Sequence, residues 1–372
     1  MRLQLAIALA LALFAVTVGR AHADGTLSMR GVYYKERATR VVQPMLDGTF
    51  DVGNHGVATA HLLVDAITSA SASSGADNQV PFTENRYEAG GSYTHELANL
   101  RLGAQARYST ESDYVSLFGA LRGEIDLAQK NTTLGLGVGL GRDKISAASA
   151  QGPMAPVLEC EPGVTDTECS LTTATVFASA SQILSKNSVL GVSYDLARLH
   201  GYQSNPYRQA LTQTGLAPER HPTERLRQAF AVSLRYFVRS TQTALIGAYR
   251  YYHDDWDVDA HTPELRIVQQ IGLNADATLR YRFHTQDGAY FYRDRYPTAD
   301  ITMQPYLSDD VKLDAFDGHL IEAKLGFLGE AFDMNGRWAG ARFEGILQYV
   351  LQHERFGNAI VAHVALTVPF EY

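Results

Sequence analysis

The side chains of this 372-residue sequence that could do chemistry fall into three sets. The largest is a series of cations set into apolar runs: Arg101, Arg107, Arg122, Arg227, Arg235, Arg250, Arg266, Arg280, Arg282, Lys324 and Arg342. In the same phase stand Glu88, Glu124, Asp126, Asp195, Glu264, Glu322 and Glu344. An excess of fixed positive charge beside a water-filled path draws anions toward it. The same groups, paired with one another, would only fill an interior. The sequence leaves both uses open.

The second set is acidic. Asp254, Asp255, Asp257 and Asp259, flanked by His253 and His261, have oxygens for a Ca²⁺ ion, which takes six to eight of them, or for a cation bridge to lipopolysaccharide. Asp and His together could also activate a water, as in a hydrolase with its site at a rim. The plain alternative is a loop of solvated acids, and no nucleophile stands in a recognisable motif. Beyond such a Ca²⁺ ion no cofactor is expected. The third set is Cys160 and Cys169, which bracket the insert CEPGVTDTEC without a CxxC or zinc spacing. In an oxidising compartment they are expected to form one disulfide around a small loop; two unpaired thiols are the alternative.

Two other motifs carry less than they promise. HELAN, from His95, lacks the second histidine of a zinc-binding helix. In GLGVGLG, Gly135 to Gly141, the glycines alternate with Leu136, Val138 and Leu140, so they relieve crowding on one face of a strand better than they cradle phosphate.

The elements that must hold these sets are legible in the periodicity. Leu100, Leu102, Ala104, Ala106 and Tyr108 alternate with Arg101, Gly103, Gln105 and Arg107. Leu279, Tyr281 and Phe283 alternate with Arg280, Arg282 and His284. Leu226, Phe230, Val232, Leu234, Tyr236 and Val238 share one face, with Arg227, Ser233 and Arg235 on the other. Period two marks strands, one face for lipid and one for water, and the runs reach the roughly 9 to 11 residues that a tilted membrane strand needs.

Compartment is read from the N-terminus. Arg2, an apolar run from Leu3 to Val18 and the small-residue site Ala21-His22-Ala23 form a secretory signal peptide, so residues 1–23 are expected to be removed by cleavage after Ala23. No later stretch of about 18 apolar residues offers a helical span. Of 32 basic and 40 acidic residues, removing Arg2 and Arg20 leaves 30 against 40, a net charge of −10 that argues against a nucleic-acid partner.

Residues 24–372 are expected to form a single all-β domain: a transmembrane antiparallel up-and-down β-barrel of about 16 strands, within a range of 14 to 18. Candidate strands lie near 26–36, 39–51, 55–68, 85–96, 99–110, 113–127, 131–144, 171–184, 187–199, 224–240, 242–254, 257–273, 276–292, 316–329, 335–353 and 357–372. Even-numbered connections are mostly tight, as in ELAN, AQKN, LSKN, VRST and LNAD. Odd-numbered ones include the inserts 69–84, 145–170, 200–223 and 293–315. Short periplasmic turns and long extracellular loops are the asymmetry of outer-membrane barrels. The last strand carries Ile360, Ala362, Val364, Leu366, Val368, Phe370 and Tyr372 at every second position. It resembles the terminal strand by which the outer-membrane assembly machinery recognises its clients, with Val368, Phe370 and Tyr372 as the signal. Many of the 20 tyrosines fall near strand ends, as an aromatic girdle requires.

The runs YSTESDY (Tyr108 to Tyr114), NTTLGLGVGLGRD, GYQSNPYR (Gly201 to Arg208), YRYYHDDW (Tyr249 to Trp256) and FHTQDGAYFY resemble those of a family of uncharacterised Gram-negative outer-membrane β-barrels known only as a domain of unknown function. The resemblance covers nearly the whole mature chain and implies fold and location, with outer-membrane lipid and lipopolysaccharide as surroundings; it transfers no catalytic residue. Because barrels of 16 to 18 strands leave an aqueous channel, the expected function is a porin-like passive channel for small solutes. Its basic lumen would pass anions in preference to cations, with Arg107, Arg235 and Arg282 contributing. A sealed barrel serving an envelope partner as scaffold and a rim-site hydrolase are the competing classes.

Overall fold

Period-two alternation lets each strand satisfy its backbone through its neighbours while sorting its side chains to two faces, which in lipid is stable only when the sheet closes. The computed structural model describes residues 24–37, 39–69, 82–146, 158–161, 163–206, 208–352 and 357–370. The expected signal segment 1–23 with its cleavage site, residues 70–81 and 147–157 of two expected inserts, and Tyr372 of the expected terminal signal lie outside the described residues.

Sixteen strands form one closed antiparallel barrel. They are β1 (Gly25–Lys35), β2 (Thr39–Val52), β3 (Gly56–Ser69), β4 (Phe82–Leu97), β5 (Leu100–Thr110), β6 (Tyr114–Leu127), β7 (Thr132–Ser146) and β8 (Glu168–Ser185). The second half is β9 (Ser188–Gly201), β10 (Glu224–Val238), β11 (Thr243–Asp254), β12 (Asp259–Ile271), β13 (Ala275–Gln286), β14 (Phe316–Leu328), β15 (Arg342–Leu351) and β16 (Ala359–Phe370). Each strand pairs with its sequence neighbours, and β1 closes on β16 from Gly25↔Phe370 to Lys35↔Ile360.

The expected count and parity of connections agree with this order, and the differences are local. β13 ends at Gln286 rather than near 292, because the following segment turns away to pack with other inserts. β15 begins at Arg342, not near 335: Gly329–Phe332 and Gly336–Trp338 are two short 3-10 turns that close the longest of the even-numbered connections. The inserts also contain hairpins of their own, Leu158–Glu161 with Val164–Asp166 and Gln209–Thr212 with Gly215–Pro218. Pro44 sits inside β2, where the ladder to β3 passes from Val42↔Ala66 to Met45↔Leu63 without the two intervening pairs, as a residue lacking an N–H must cause.

Side chains directly opposite across a pair share a face, so the registers assign inside and outside unambiguously. Outward stand Leu117, Leu121, Leu136, Leu140, Leu347 and Val364, each with more than half its surface uncovered. Tyr33, Tyr87, Tyr93, Tyr108, Tyr194, Tyr236, Tyr249, Tyr251, Tyr281 and Tyr349 are also outward and exposed. Bare apolar area on this scale is stable against hydrocarbon, not water. The buried apolar clusters among the described residues lie instead in the inserts beyond the odd-numbered strand ends, around Trp256 and Phe291, Leu158 and Tyr202, and Tyr296 and Leu307.

Candidate functional site

The inner face of the barrel gathers every cation and carboxylate of the first sequence set. Arg101↔Glu124, Glu264↔Arg282, Arg266↔Arg280 and Arg280↔Glu322 are directly opposed pairs, and Lys324 and Arg342 lie in the same phase through their own partners. The registers add groups that the alternation had not singled out: Arg30, Arg86 and Arg225, against Asp47, Asp51, Asp65, Glu96, Asp143, Asp254 and Asp276. Eleven and three make fourteen basic residues on the described inner face, and seven and seven make fourteen acidic ones. A uniformly basic lining is therefore not what the strands build.

Charge is instead divided around the ring. The wall β10–β13 holds seven cations (Arg225, Arg227, Arg235, Arg250, Arg266, Arg280, Arg282) and three acids (Asp254, Glu264, Asp276). Eight strands away, across the barrel, β2–β5 holds three cations (Arg86, Arg101, Arg107) and five acids (Asp47, Asp51, Asp65, Glu88, Glu96). Most cations outside the basic wall are paired: Arg30 with Asp47 at 2.6 Å, Arg86 with Asp65 at 2.5 Å, Arg101 with Asp126 at 2.7 Å, Arg107 with Glu88 at 3.2 Å, and Arg342 with Asp276 at 2.5 Å. Arg122 engages Glu124. On the basic wall pairing runs out. Glu264, opposite Arg282 in the register, is occupied by Arg266 at 2.7 Å and Arg280 at 3.8 Å. Arg227 and Arg250 flank the ring of Tyr252, at 5.7 and 5.5 Å from its centroid. Arg227, Arg235, Arg250 and Arg282 have no carboxylate within 4 Å among the described residues.

Over the outer end of this wall the inserts 202–223 and 287–315 build a cap. Gln286, on the inner face, donates to the carbonyls of Lys312 and Asp314 at 2.9 and 2.8 Å, and the Trp256 indole N–H donates to the Glu224 carbonyl at 2.9 Å. Its polar centre is Glu219, His221 and Ser308, all buried. The Ser308 hydroxyl donates to Glu219 at 2.6 Å, and His221 Nε2 lies 2.9 Å from Ser308 Oγ and 3.2 Å from Glu219 Oε1. Burial opposes charge on Glu219, but His221, Arg208 and the Ser308 hydroxyl outweigh it and hold the carboxyl down at about 2. Burial pushes the Tyr296 phenol up to about 12. Ser, His and Glu are the residue types of a hydrolytic triad, but the geometry is a clamp. Both partners crowd the same ring nitrogen, Nδ1 faces the Gln203 carbonyl at 3.1 Å, and Ser308 has no exposed surface through which a substrate could arrive.

The acidic set is not brought together. Asp254 is fully buried and saturated: Arg225 approaches it at 2.5 Å, the Tyr252 hydroxyl donates at 2.5 Å, and the Trp256 and Val258 N–H groups at 3.0 and 3.2 Å. Arg225 in turn stacks 3.9 Å above the Trp256 ring. Asp259 points outward to Tyr251 and His253, on the opposite face. Strand alternation thus separates Asp254 from Asp259, and among the described residues no group of three or more His, Cys, Asp or Glu is arranged to hold a metal ion. Cys160 and Cys169 are joined in a disulfide, with Cα atoms 5.2 Å apart. It ties the small hairpin to the start of β8, beside Leu158 and Tyr202. Val368 and Phe370 face outward at the end of β16.

A closed sixteen-stranded antiparallel barrel with a charged interior and a bare apolar exterior is an outer-membrane β-barrel. Residues 76–334 match the family described as protein of unknown function (DUF3570), well over half the chain, and the protein belongs to that family. No curated protein matches the sequence. Among solved structures it is similar to a bacterial polysaccharide outer membrane secretin, 9% identical over 95% of this chain and 100% of that one, with a TM-score of 0.52. It is also similar to the outer membrane protein OprD from Pseudomonas aeruginosa (9% identity, 95% and 94% covered, TM-score 0.48) and to OccD3 (OpdP) from the same organism (11%, 94% and 91%, 0.48). At such identities the likeness is one of fold.

Proposed function

We propose that this barrel is a passive channel for small solutes that favours anions, and that it reaches the outer membrane by export with cleavage after Ala23. Four guanidiniums on the wall β10–β13 without carboxylate partners carry the reading, because uncompensated charge is what a solvated path feels, whereas paired charge largely cancels. Sixteen strands supply the width. Arg235 and Arg282 are the principal selectivity residues; Arg107, held by Glu88, contributes less to the net field. The cap lies on the outer end of the basic wall and restricts access from that side.

Purified protein in planar bilayers tests this. Discrete conductance steps with a reversal potential favouring chloride over potassium are expected. Absence of conductance moves the reading to a sealed scaffold for another envelope protein, and cation preference refutes the role given to the basic wall.

A further inference from the structure

Opposite the basic wall, the inner face of β3–β6 is hollowed into a cavity of about 550 Å³. That is within the range of small-molecule sites. Its back is a chain of paired charges. Arg30 meets Asp47 at 2.6 Å, Asp47 meets His61 Nδ1 at 2.6 Å, His61 Nε2 lies 3.6 Å from Glu88, and Glu88 meets Arg107 Nε at 3.2 Å. Glu88 is almost covered, whereas the Arg107 side chain is 61% exposed. The acid therefore grips the inner nitrogen of the guanidinium and the remaining end stands open to the lumen. This is the geometry by which arginine takes a carboxylate through two parallel hydrogen bonds.

Glycine makes the room. Gly90 lies opposite Arg107, where a Cβ would come within 3.6 Å of the arginine stem. Phe118, directly opposite Arg107 in the β5–β6 register, lies against β7: a Cβ on Gly139 would sit 2.7 Å from its ring and one on Gly141 would sit 3.4 Å from it. The glycine run of β7 is thus the seat of an aromatic ring that lines the cavity. Around ring and guanidinium the lining includes hydroxyl and amide groups from Ser92, Gln105 and Ser109, with Arg86 and Glu111 also on the wall.

We infer that this cavity is a binding subsite for a hydroxylated monocarboxylate of sugar-acid size. Arg107 takes the carboxylate, the hydroxyl and amide groups take the substrate hydroxyls, and the Phe118 ring takes an apolar C–H face. The proposal rests on the reading of the lumen as a solute path and adds to it a resting point for one solute class.

Isothermal titration calorimetry of the full-length protein in detergent tests it without requiring conduction. Galacturonate is the probe; galactose, which lacks the charge, and acetate, which lacks the hydroxyls and the C–H face, are comparators. Galacturonate is expected to bind at least roughly tenfold more tightly than either comparator, and Arg107→Gln and Phe118→Ala each to weaken it by roughly tenfold or more. The variants are checked for heat-modifiable migration, and the comparison of the three ligands on the unaltered protein stands even where a variant fails to fold. No heat with galacturonate, acetate binding equally well, or unchanged affinity in folded Phe118→Ala overturns the subsite. A barrel that binds galacturonate but does not conduct refutes the channel and leaves the subsite standing.

Discussion

Reversing Arg282 to glutamate perturbs the basic wall at a point where no ion pair is broken, since Glu264 and Glu322, its carboxylate neighbours across the strands, are already engaged by Arg280. The expected size follows from Coulomb's law. A unit charge about 7 Å from an ion in water contributes about 0.6 kcal/mol. At 0.1 M salt, where the screening length is about 10 Å, roughly half survives. The effect has opposite sign for anion and cation, so each unit charge changes their ratio by about 0.6 kcal/mol, or about 2.7-fold. Arg282→Glu alters the charge by two units and is expected to lower the anion-to-cation permeability ratio by roughly 7-fold, and the double variant with Arg235→Glu by roughly 50-fold. At 1 M salt, with a screening length of about 3 Å, the single reversal falls to less than about twofold. Reversal potentials in asymmetric KCl measure these ratios. A conducting Arg282→Glu channel with an unchanged ratio at 0.1 M salt, or one whose shift is the same at 1 M, would refute the placement of this side chain beside the ion path.

Other consequences lie in the inserts. Glu219 is held at about 2, so its contribution to the cap is complete above the ordinary glutamate range near pH 4.3 and is lost as pH falls toward 2. Hydrogen exchange is expected to loosen residues 202–223 over that window while the strands stay protected. Glu219→Gln removes the buried carboxylate that His221 faces at 3.2 Å, while Arg208 keeps Asp310 at 2.8 Å, and should destabilise the cap by about 2 kcal/mol, seen as proteolysis of the insert at neutral pH in an intact barrel. Asp254→Ala leaves Arg225 buried without its acid and frees two backbone N–H groups; cleavage at the β11–β12 connection is the expected readout, and a resistant variant would contradict it. Replacing Cys160 and Cys169 by serine removes a closure of nine residues, about 3 kcal/mol of local constraint, and should leave barrel assembly and heat-modifiable migration unchanged. Loss of the assembled barrel in that variant would show that the disulfide does more than close its own loop.

Strand alternation is written directly in the chain: a residue two places from Arg101 must share its face, so the sixteen strands, their inside and outside, and the inward phase of Arg235 and Arg282 could be read from sequence. The alternation of short and long connections likewise separated the end of the barrel that carries the tight turns from the end that carries the inserts. Tertiary structure alone decided which charges cancel. Asp65 becomes the partner of Arg86 through the register of β3 on β4, and Glu264 is shared by two arginines from β12 and β13. These facts depend on neighbours remote in sequence, and they convert an apparently basic lining into a balanced one with its free cations on one wall. The same holds for the acidic run, where Asp254 and Asp259 are close in sequence but a tight connection turns them to opposite faces. It also holds for Glu219 and Ser308, joined 89 residues apart by packing of inserts that carry no periodic signal. Local pattern fixes a strand's two faces because the backbone repeats every two residues; the meeting of loops and the sharing of an ion pair have no such repeat.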